Sequence, residues 1–481
     1  MHFKDIAGSF IIILNLLIFF YFAVLNTVYL VLFSAAFLEA KKYATRRKIV
    51  DLYEVFRSPL TPSVSLLIPA YDEEAGVLEA VKSTLMLRYP HFEVIVINDG
   101  STDRTLELLK ERYKLRRITK VVQLRVPCNT IRGVYISTEH ENLVVVDKEN
   151  GGKSDALNAG INASRHDLIC SIDADSILEP DALLKVARPF IERPLDTVAV
   201  GGVIRIVNGC EVVAGNVTKV ELPHSYWANV QIVEYLRAFL GGRMGWSALR
   251  SLLIISGAFG IFDRSVVIEV GGYRRDTVGE DMDLVVRMHR HLREQKRKYR
   301  MVFVPDPVCW TEAPQKYGEL GRQRDRWQRG LIESLTGNLR MLLNPRYGVI
   351  GLFAMPYFFF FEMLGPVIEL LGYAAVVLAV VLGYLNYQFF FLFLALAVLY
   401  GVIVSLIAVY LEGIAFKRYP KLGSLLKMGL YCFVENLGYR QLNSWWRSKA
   451  YFTYFTRKRK WGKSVRTGFK QVSPYPPPTV R

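Results

Sequence analysis

The chain is poor in cysteine and poor in acid. Its five cysteines (Cys128, Cys170, Cys210, Cys309 and Cys432) are scattered through 481 residues. They form no CxxC pair and no Cys/His ligand spacing, so neither a zinc cluster nor a disulfide framework organises the fold. Neither GxxxxGK[ST] nor GxGxxG occurs, which counts against an ATPase or a dinucleotide enzyme. The dense acidic ligand series of an EF-hand is also missing. Asp and Glu number 44 against 61 Lys and Arg, a formal charge of +17. Such a balance suits anionic lipid, an anionic substrate or nucleic acid. The arrangement argues against nucleic acid: the basic residues cluster near apolar segments rather than interleaving with aromatics in a stacking groove.

Apolar residues are segregated. Residues 10–40, FIIILNLLIFFYFAVLNTVYLVLFSAAFLEA, carry no charge before Glu39. At 1.5 Å per residue this run is long enough to span a bilayer, and it is too long for the apolar core of a signal peptide. KKYATRRK follows at 41–48 and favours a cytoplasmic side, with the N-terminus outside. A second apolar region begins at Tyr347 and ends near Gly413. It is broken by Pro356, Glu362, Pro366 and Glu369. We expect an interfacial helix over 348–363, spans over 366–385 and 388–412, and a turn at Leu385–Tyr387 between them. FKRYPK then marks a cytoplasmic exit, ahead of the basic tail. In VENLGYRQLNSWWRSKAYF (434–452), Trp445 and Trp446 beside arginines suit an interfacial helix. Alternatively, Glu435, Tyr439 and Gln441 pack beneath the soluble domain.

Residues 61–335 lie between these regions. SVSLLIPA (63–70), FEVIVINDG (92–100), NLVVVD (142–147) and LICSIDADS (168–176) predict buried parallel strands. EEAGVLEAVKSTLML and STDRTLELLKERYK predict helices between them. This is the pattern of a doubly wound α/β domain, whose functional groups gather at the C-terminal strand ends. The first strand ends in Tyr71 and Asp72, the second in Asp99, the fourth in Asp173 and Asp175. A lone Asp-Gly is ordinarily a turn, but several carboxylates at one sheet edge call for a ligand with donors and a bound cation.

A nucleotide meets that demand. Asp99 accepts from a base N–H or a ribose hydroxyl, and Tyr71 offers a ring near the base. Lys153 in NGGKSDALNAG (150–160) is a cation for phosphate or a positioning group. Asp173 and Asp175, at i and i+2 of an extended segment, share a face. Two carboxylates there would repel one another unless a divalent ion such as Mg2+ or Mn2+ joined them. One reaches the metal directly; the other binds it through water or holds the sugar and ribose. VGEDMDLVVRMHR (278–290) places Glu280 and Asp281 before a helix. Asp281 is the candidate base, against the simpler reading of helix capping, and Glu280 orients the acceptor or the loop. In GRQRDRWQRG (321–330), Trp327 stacks on a sugar while Gln323 and Arg326 engage hydroxyls and diphosphate. The competing reading is a basic membrane-proximal helix with an interfacial Trp.

IPAYDEE, VINDGSTD, NGGKSDALNAG, SIDADS, ISGAFGIFDRS, VGEDMDL and QRDRW occur in this order from Ile68 to Trp327. Together they resemble the membrane-bound family 2 glycosyltransferases, the group of cellulose, hyaluronan, chitin-oligosaccharide and poly-N-acetylglucosamine synthases. The resemblance implies a Rossmann-like glycosyltransferase A fold with flanking transmembrane helices. It implies that Asp99 binds uracil with Tyr71 at the base pocket, and that Asp72 and Lys153 belong to the donor site. It implies that Asp173 and Asp175 coordinate metal and diphosphate, and that Asp281 is the general base. Gln323, Arg326 and Trp327 then shape the acceptor site and contact the diphosphate, and the Gly257–Gly260 stretch lies beside the acceptor sugar.

On this resemblance the chain divides into a transmembrane segment (1–40), a basic linker (41–60) and a catalytic domain (61–335). An interfacial helix with about two spans (336–415) and a basic tail with an amphipathic helix (416–481) follow. The expected activity is metal-dependent, inverting transfer from a UDP-sugar to a growing β-linked polysaccharide, coupled to export across the plasma membrane. NGGKSDALNAG tilts the donor toward UDP-N-acetylglucosamine. The small number of spans departs from the large synthases. Either a small membrane subunit or a homo-oligomer completes an export path, or the enzyme is nonprocessive and acts on a lipid or lipid-linked acceptor.

Overall fold

The computed structural model describes residues 2–49, 58–59, 61–119, 122–213, 215–419 and 421–456. Part of the basic linker and the tail from 457 to 481 lie outside these.

The strands are β1 (Val64–Ala70), β2 (Phe92–Asn98), β3 (Leu115–Ile118), β4 (Ile131–Ser137), β5 (Leu143–Lys148) and β6 (Leu168–Ile172). They continue as β7 (Ile177–Leu178), β8 (Thr197–Ile206), β9 (Glu211–Val213), β10 (Asn216–Lys219), β11 (Phe259–Asp263) and β12 (Arg300–Thr311). Ten form one sheet in the order β3-β4-β5-β2-β1-β6-β11-β8-β12-β7, while β9 and β10 pair separately. The four expected strands are its parallel centre: β2 pairs with β5 and β1, and β1 with β6, all parallel. Their residues are almost wholly buried, as a sheet covered on both faces requires.

The sheet as a whole is mixed, not uniformly parallel. β11 runs antiparallel between β6 and β8, and β3 and β4 add an antiparallel edge. This is a glycosyltransferase-A-like topology. It could not be read from apolar runs, because parallel and antiparallel buried strands look alike in sequence. The helix Lys153–Ala163 packs so tightly under the centre that a side chain at Gly160 would lie 3.0 Å from both Ile97 and Leu67.

One helix among the described residues is long and apolar enough to cross a membrane, Ile12–Thr45 within His2–Ile49. The second apolar region starts with Ile350–Met363 and Gly365–Val381, which meet at a 46° bend. Gly365 and Pro366 stand at that bend, where a proline cannot continue the hydrogen-bond ladder. A turn follows, then Tyr387–Leu394, whose continuation contains the shorter apolar helix Tyr400–Ile414. Of the three expected spans, the N-terminal one alone is a single helix of spanning length among the described residues; the other two fall on the second limb of a bent pair and on a run containing a shorter apolar helix. They pack together: the Tyr21 hydroxyl donates to the Phe360 carbonyl at 3.1 Å, and that of Tyr400 to the Asn26 carbonyl at 2.7 Å.

The α/β domain is fastened to these helices. At Gly245 a Cβ would lie 2.5 Å from the Leu32 carbonyl oxygen, so the N-terminal helix rests directly on that backbone. Where β12 slips register after Val304, Asp306 accepts from the Tyr43 hydroxyl at 2.5 Å. The C-terminal segment forms Leu422–Val434 and Arg440–Thr456, separated by a break at Leu437 and Gly438. Trp446 is buried there, its indole edge against the backbone of Gly321, whereas Trp445 is exposed. The paired-tryptophan interfacial reading therefore fails for Trp446. Of the alternative set, Glu435 pairs with Arg237 and Tyr439 with Glu234 and Arg324 beneath the α/β domain, whereas Gln441 bonds Tyr373 of the apolar helix Gly365–Val381.

Candidate active site

The loops after β1 and β2 are stitched together. Asp72 has a left-handed backbone (φ 52°) and its carboxylate accepts from the Thr102 N–H at 2.8 Å. In return, its own N–H donates to the Ser101 hydroxyl at 3.1 Å. The Glu74 N–H donates to Asp103 at 3.0 Å, and the Arg104 N–H to Glu74 at 3.2 Å. Tyr71, beside this seam, leaves 43% of its surface open.

Asp99, at the end of β2, is buried. It accepts from Lys148 at 2.6 Å and from the N–H groups of Gly151 and Gly152 at 3.0 and 2.7 Å. Burial raises its carboxyl above the usual range, opposed by Lys148 and the two glycine N–H groups. Asp99 thus holds the NGG turn in place, and Gly152 takes the positive φ (87°) that the turn needs. Lys148 is wholly buried and also pairs with Asp155 at 2.7 Å. Asp155 reaches Arg275 at 3.0 Å. Lys148 and Asp155 were not legible as site residues; the available signal was the Asp-Lys pair that closes the apolar strand β5.

The NGG turn launches the helix bearing Lys153, whose ammonium lies 2.5 Å from Asp173 and 3.4 Å from Glu280. Burial pulls Lys153 down, but Asp173 and Glu280 outweigh it and hold the amine firmly protonated. One cation thereby joins the loop after β6 to the start of the helix Glu280–Glu294. Glu280 is buried, which raises its carboxyl, with Lys153 opposing and Asp281 adding to the rise. Asp281 accepts from the Gly257 N–H at 3.1 Å. A side chain at Gly257 would sit 3.1 Å from the Lys153 nitrogen and 3.5 Å from the Asp281 Cβ, so this position lies inside the cluster. Gly260, in contrast, lies within β11, where a Cβ would strike Ile255 at 2.5 Å. Only the start of the Gly257–Gly260 stretch borders the site. Asp173 and Asp175 both bear on the buried Cys309 thiol, which burial chiefly raises. Arg243, stacked 3.9 Å over Phe239, is a cation that sequence analysis missed; burial lowers it to about 10 and Asp281 opposes the fall.

Gln323, Arg326 and Trp327 stand on the helix Tyr317–Thr336. Trp327 is 43% exposed, and Arg324 stacks 4.4 Å above its ring. The buried Gln323 Oε1 makes no hydrogen bond among the described residues. The opposite face is clamped by the C-terminal segment. Arg324 pairs with Glu234 at 2.6 Å and donates to Tyr439 at 3.1 Å. Asp325 accepts from Thr453 at 2.5 Å, and Gln328 from Arg447 at 2.8 Å. The helix also carries Glu333, which accepts from Thr277 at 2.7 Å and the Val278 N–H at 2.9 Å. The two helices cross backbone to backbone: a Cβ on Gly330 would be 2.6 Å from the Gly279 Cα. That crossing sets Asp281 relative to the QRDRW face.

The family model described as glycosyltransferase like family 2 matches residues 62–330, more than half of the chain. This chain belongs to glycosyltransferase family 2. A chitin synthase model overlaps it and extends further, over 274–449, reaching into the first part of the clamping C-terminal helix. Among curated family 2 relatives, a poly-β-1,6-N-acetyl-D-glucosamine synthase of Staphylococcus aureus is 29% identical over 273 residues, 56% of this chain and 55% of the relative. The same-named protein of Staphylococcus epidermidis is 28% identical over 272 residues, 56% of this chain and 55% of that one. The chain thus spans about half the length of the curated relatives it matches. A solved mannosyltransferase from Pyrobaculum calidifontis, in complex with GDP-Man and Mn2+, is 18% identical with a TM-score of 0.48, covering 86% of this chain and 99% of that one.

Proposed function

We propose that this family 2 protein is an inverting glycosyltransferase that moves a sugar from a UDP-sugar to a growing β-linked polysaccharide at a membrane. The observation that carries it is the cluster in which Lys153 bridges Asp173 and Glu280 while the Gly257 N–H holds Asp281 beside them. That cluster brings a cation and two carboxylates next to a third, Asp281, which we read as the base.

In the proposed reaction Asp281 takes the proton of an acceptor hydroxyl as that oxygen bonds to C1 of the donor sugar. The bond from C1 to the diphosphate oxygen breaks, and its electron pair leaves on UDP. One attack from the far side turns an α-linked donor into a β-linked product. Tyr71 and the Asp72–Asp99 loops border the base and ribose, with Lys153 facing the diphosphate. Gln323, Arg326 and Trp327 border the acceptor and the same diphosphate.

Among the described residues no group of three or more His, Cys, Asp or Glu converges as a complete metal cage. Two carboxylates are nevertheless a fitting donor set for a hard cation that keeps water and substrate phosphates as its remaining ligands. Asp173 and Asp175 would hold Mg2+ or Mn2+, which when bound would supply positive charge to the departing diphosphate.

The naming of the staphylococcal relatives as poly-β-1,6-N-acetyl-D-glucosamine synthases and the NGGKSDALNAG stretch favour UDP-N-acetylglucosamine as donor. The helix set, one long, one bent and one short, supports a second reading: one or two sugars are transferred to a lipid or lipid-linked acceptor. Purified protein with labelled UDP-N-acetylglucosamine separates the two by product length and linkage. Asp281→Asn should lower transfer by roughly 10²- to 10⁴-fold with UDP affinity unchanged; full activity in that variant would remove Asp281 as the base.

A further inference from the structure

Lys153 lies where two ligands of the proposed donor site would compete for one oxygen. Its side chain is only 12% exposed, and its ammonium is 2.5 Å from Oδ1 of Asp173 and 3.4 Å from Glu280. The amine is hemmed in. A Cβ at Gly257 would already lie 3.1 Å from the nitrogen, and Asp281 stands on the other side of that glycine. The lysine is also rooted: it begins the helix Lys153–Ala163 directly after the NGG turn, whose two glycine N–H groups are held by Asp99.

A divalent ion on Asp173 would face a unit positive charge within hydrogen-bond distance of its own ligand, and like charges this close exclude one another. A diphosphate changes the balance, because it offers the ammonium a more strongly charged partner nearby. Resting on the proposed donor reading, we infer that Lys153 is a built-in counter-ion that occupies Asp173 in the empty enzyme. Divalent metal is thereby kept out until a nucleoside diphosphate draws the ammonium away. The consequence is an order of assembly: metal binds tightly only together with nucleotide. The carboxylate cluster is meanwhile neutralised in part, which also prevents Asp173 and Glu280 from repelling the incoming donor.

The test is Mn2+ binding to the detergent-solubilised full chain, read by electron paramagnetic resonance of free Mn2+, with and without UDP. UDP binding is measured separately by calorimetry. Wild type should bind Mn2+ weakly alone and more tightly with UDP. Lys153→Met should tighten Mn2+ binding without UDP by about ten- to a thousandfold and should lose most of the gain UDP brings. Lys153→Gln, a second uncharged variant, should tighten Mn2+ binding in the same way, and a Tm close to wild type in either variant guards against a folding defect. If Lys153→Met binds Mn2+ no tighter than wild type while wild type binds UDP, the counter-ion role is overturned and the donor site stands. Equal Mn2+ affinity of wild type with and without UDP would overturn it as well. No UDP binding by wild type in the presence of Mn2+ would overturn both the inference and the donor reading.

Discussion

Gly330→Ala tests whether the crossing of two helices sets the catalytic geometry. Gly330 lies in the interior of the helix Tyr317–Thr336. By helix propensity alone, alanine there should stabilise the protein by about 1 kcal/mol. Packing predicts the opposite sign. The new Cβ would lie 2.6 Å from the Gly279 Cα and 2.9 Å from its nitrogen. Both are backbone atoms, with no flexible side chain to give way. Carbon atoms rest at about 3.5–4.0 Å, so the helices must part by about 1 Å. Overpacking of this kind costs about 1–3 kcal/mol, leaving a net loss of about 0–2 kcal/mol after propensity. The larger effect should be on rate. Gly279 immediately precedes Glu280 and Asp281, while Gln323 and Trp327 lie on the partner helix, so the shift falls between the proposed base and the proposed acceptor face. A displacement of about 1 Å can cost on the order of 10²-fold in rate. Steady-state transfer with titrated UDP-sugar and acceptor, alongside calorimetric UDP binding, reads the split. We expect kcat to fall about 100-fold with UDP affinity little changed. A variant with wild-type kcat and a raised Tm would refute the reasoning and leave propensity as the only effect.

Three further outcomes follow from other contacts. Lys148→Met should strand Asp99 and Asp155 without their shared cation; the expected loss is about 3–5 kcal/mol, seen as a lower Tm together with loss of UDP binding, and an unchanged Tm would disprove it. Thr453→Val removes the hydroxyl that donates to Asp325 and should cost about 1 kcal/mol in thermal unfolding, with a shift in acceptor KM if the C-terminal helix positions the QRDRW face. Buried His289 accepts from the Tyr299 hydroxyl and donates to the Leu252 carbonyl, and burial lowers it from 6.5 to about 4. The unfolded chain therefore binds the proton more readily, so this stability is complete above pH 6.5 and is lost as the pH falls toward 4, by about 3 kcal/mol. Tm measured across that window should fall more steeply in wild type than in His289→Gln, and parallel curves would count against the buried neutral imidazole.

The strand ends were the most legible part of the molecule. β1, β2, β5 and β6 announce themselves as apolar runs, and each stops where a polar cluster begins. Asp72, Asp99 and Asp173 could be placed at one sheet edge because parallel strands all end on the same side. Legibility fell where two elements meet through space. Lys148 looks like an ordinary charge after LVVVD, yet it is buried between two carboxylates, Asp155 in the first turn of the following helix and Asp99 49 residues earlier. Trp446 reads as a membrane-interface residue until Gly321 provides a slot for it. The direction of β11 depends on which strands it joins, and an apolar five-residue run carries no such information.

The order of motifs, the apolar segments and the identity of the charged side chains were determined by the sequence by itself, since each is a local property of composition and period. Tertiary structure alone decided that Lys153 joins Asp173 to Glu280, more than a hundred residues further on, and that two glycines let the ED and QRDRW helices touch. It also decided that the C-terminal segment is the clamp on the helix Tyr317–Thr336. The physical reason is the same in each case. Periodicity says which face of an element must be covered, while charge pairing and close backbone approach depend on which element covers it.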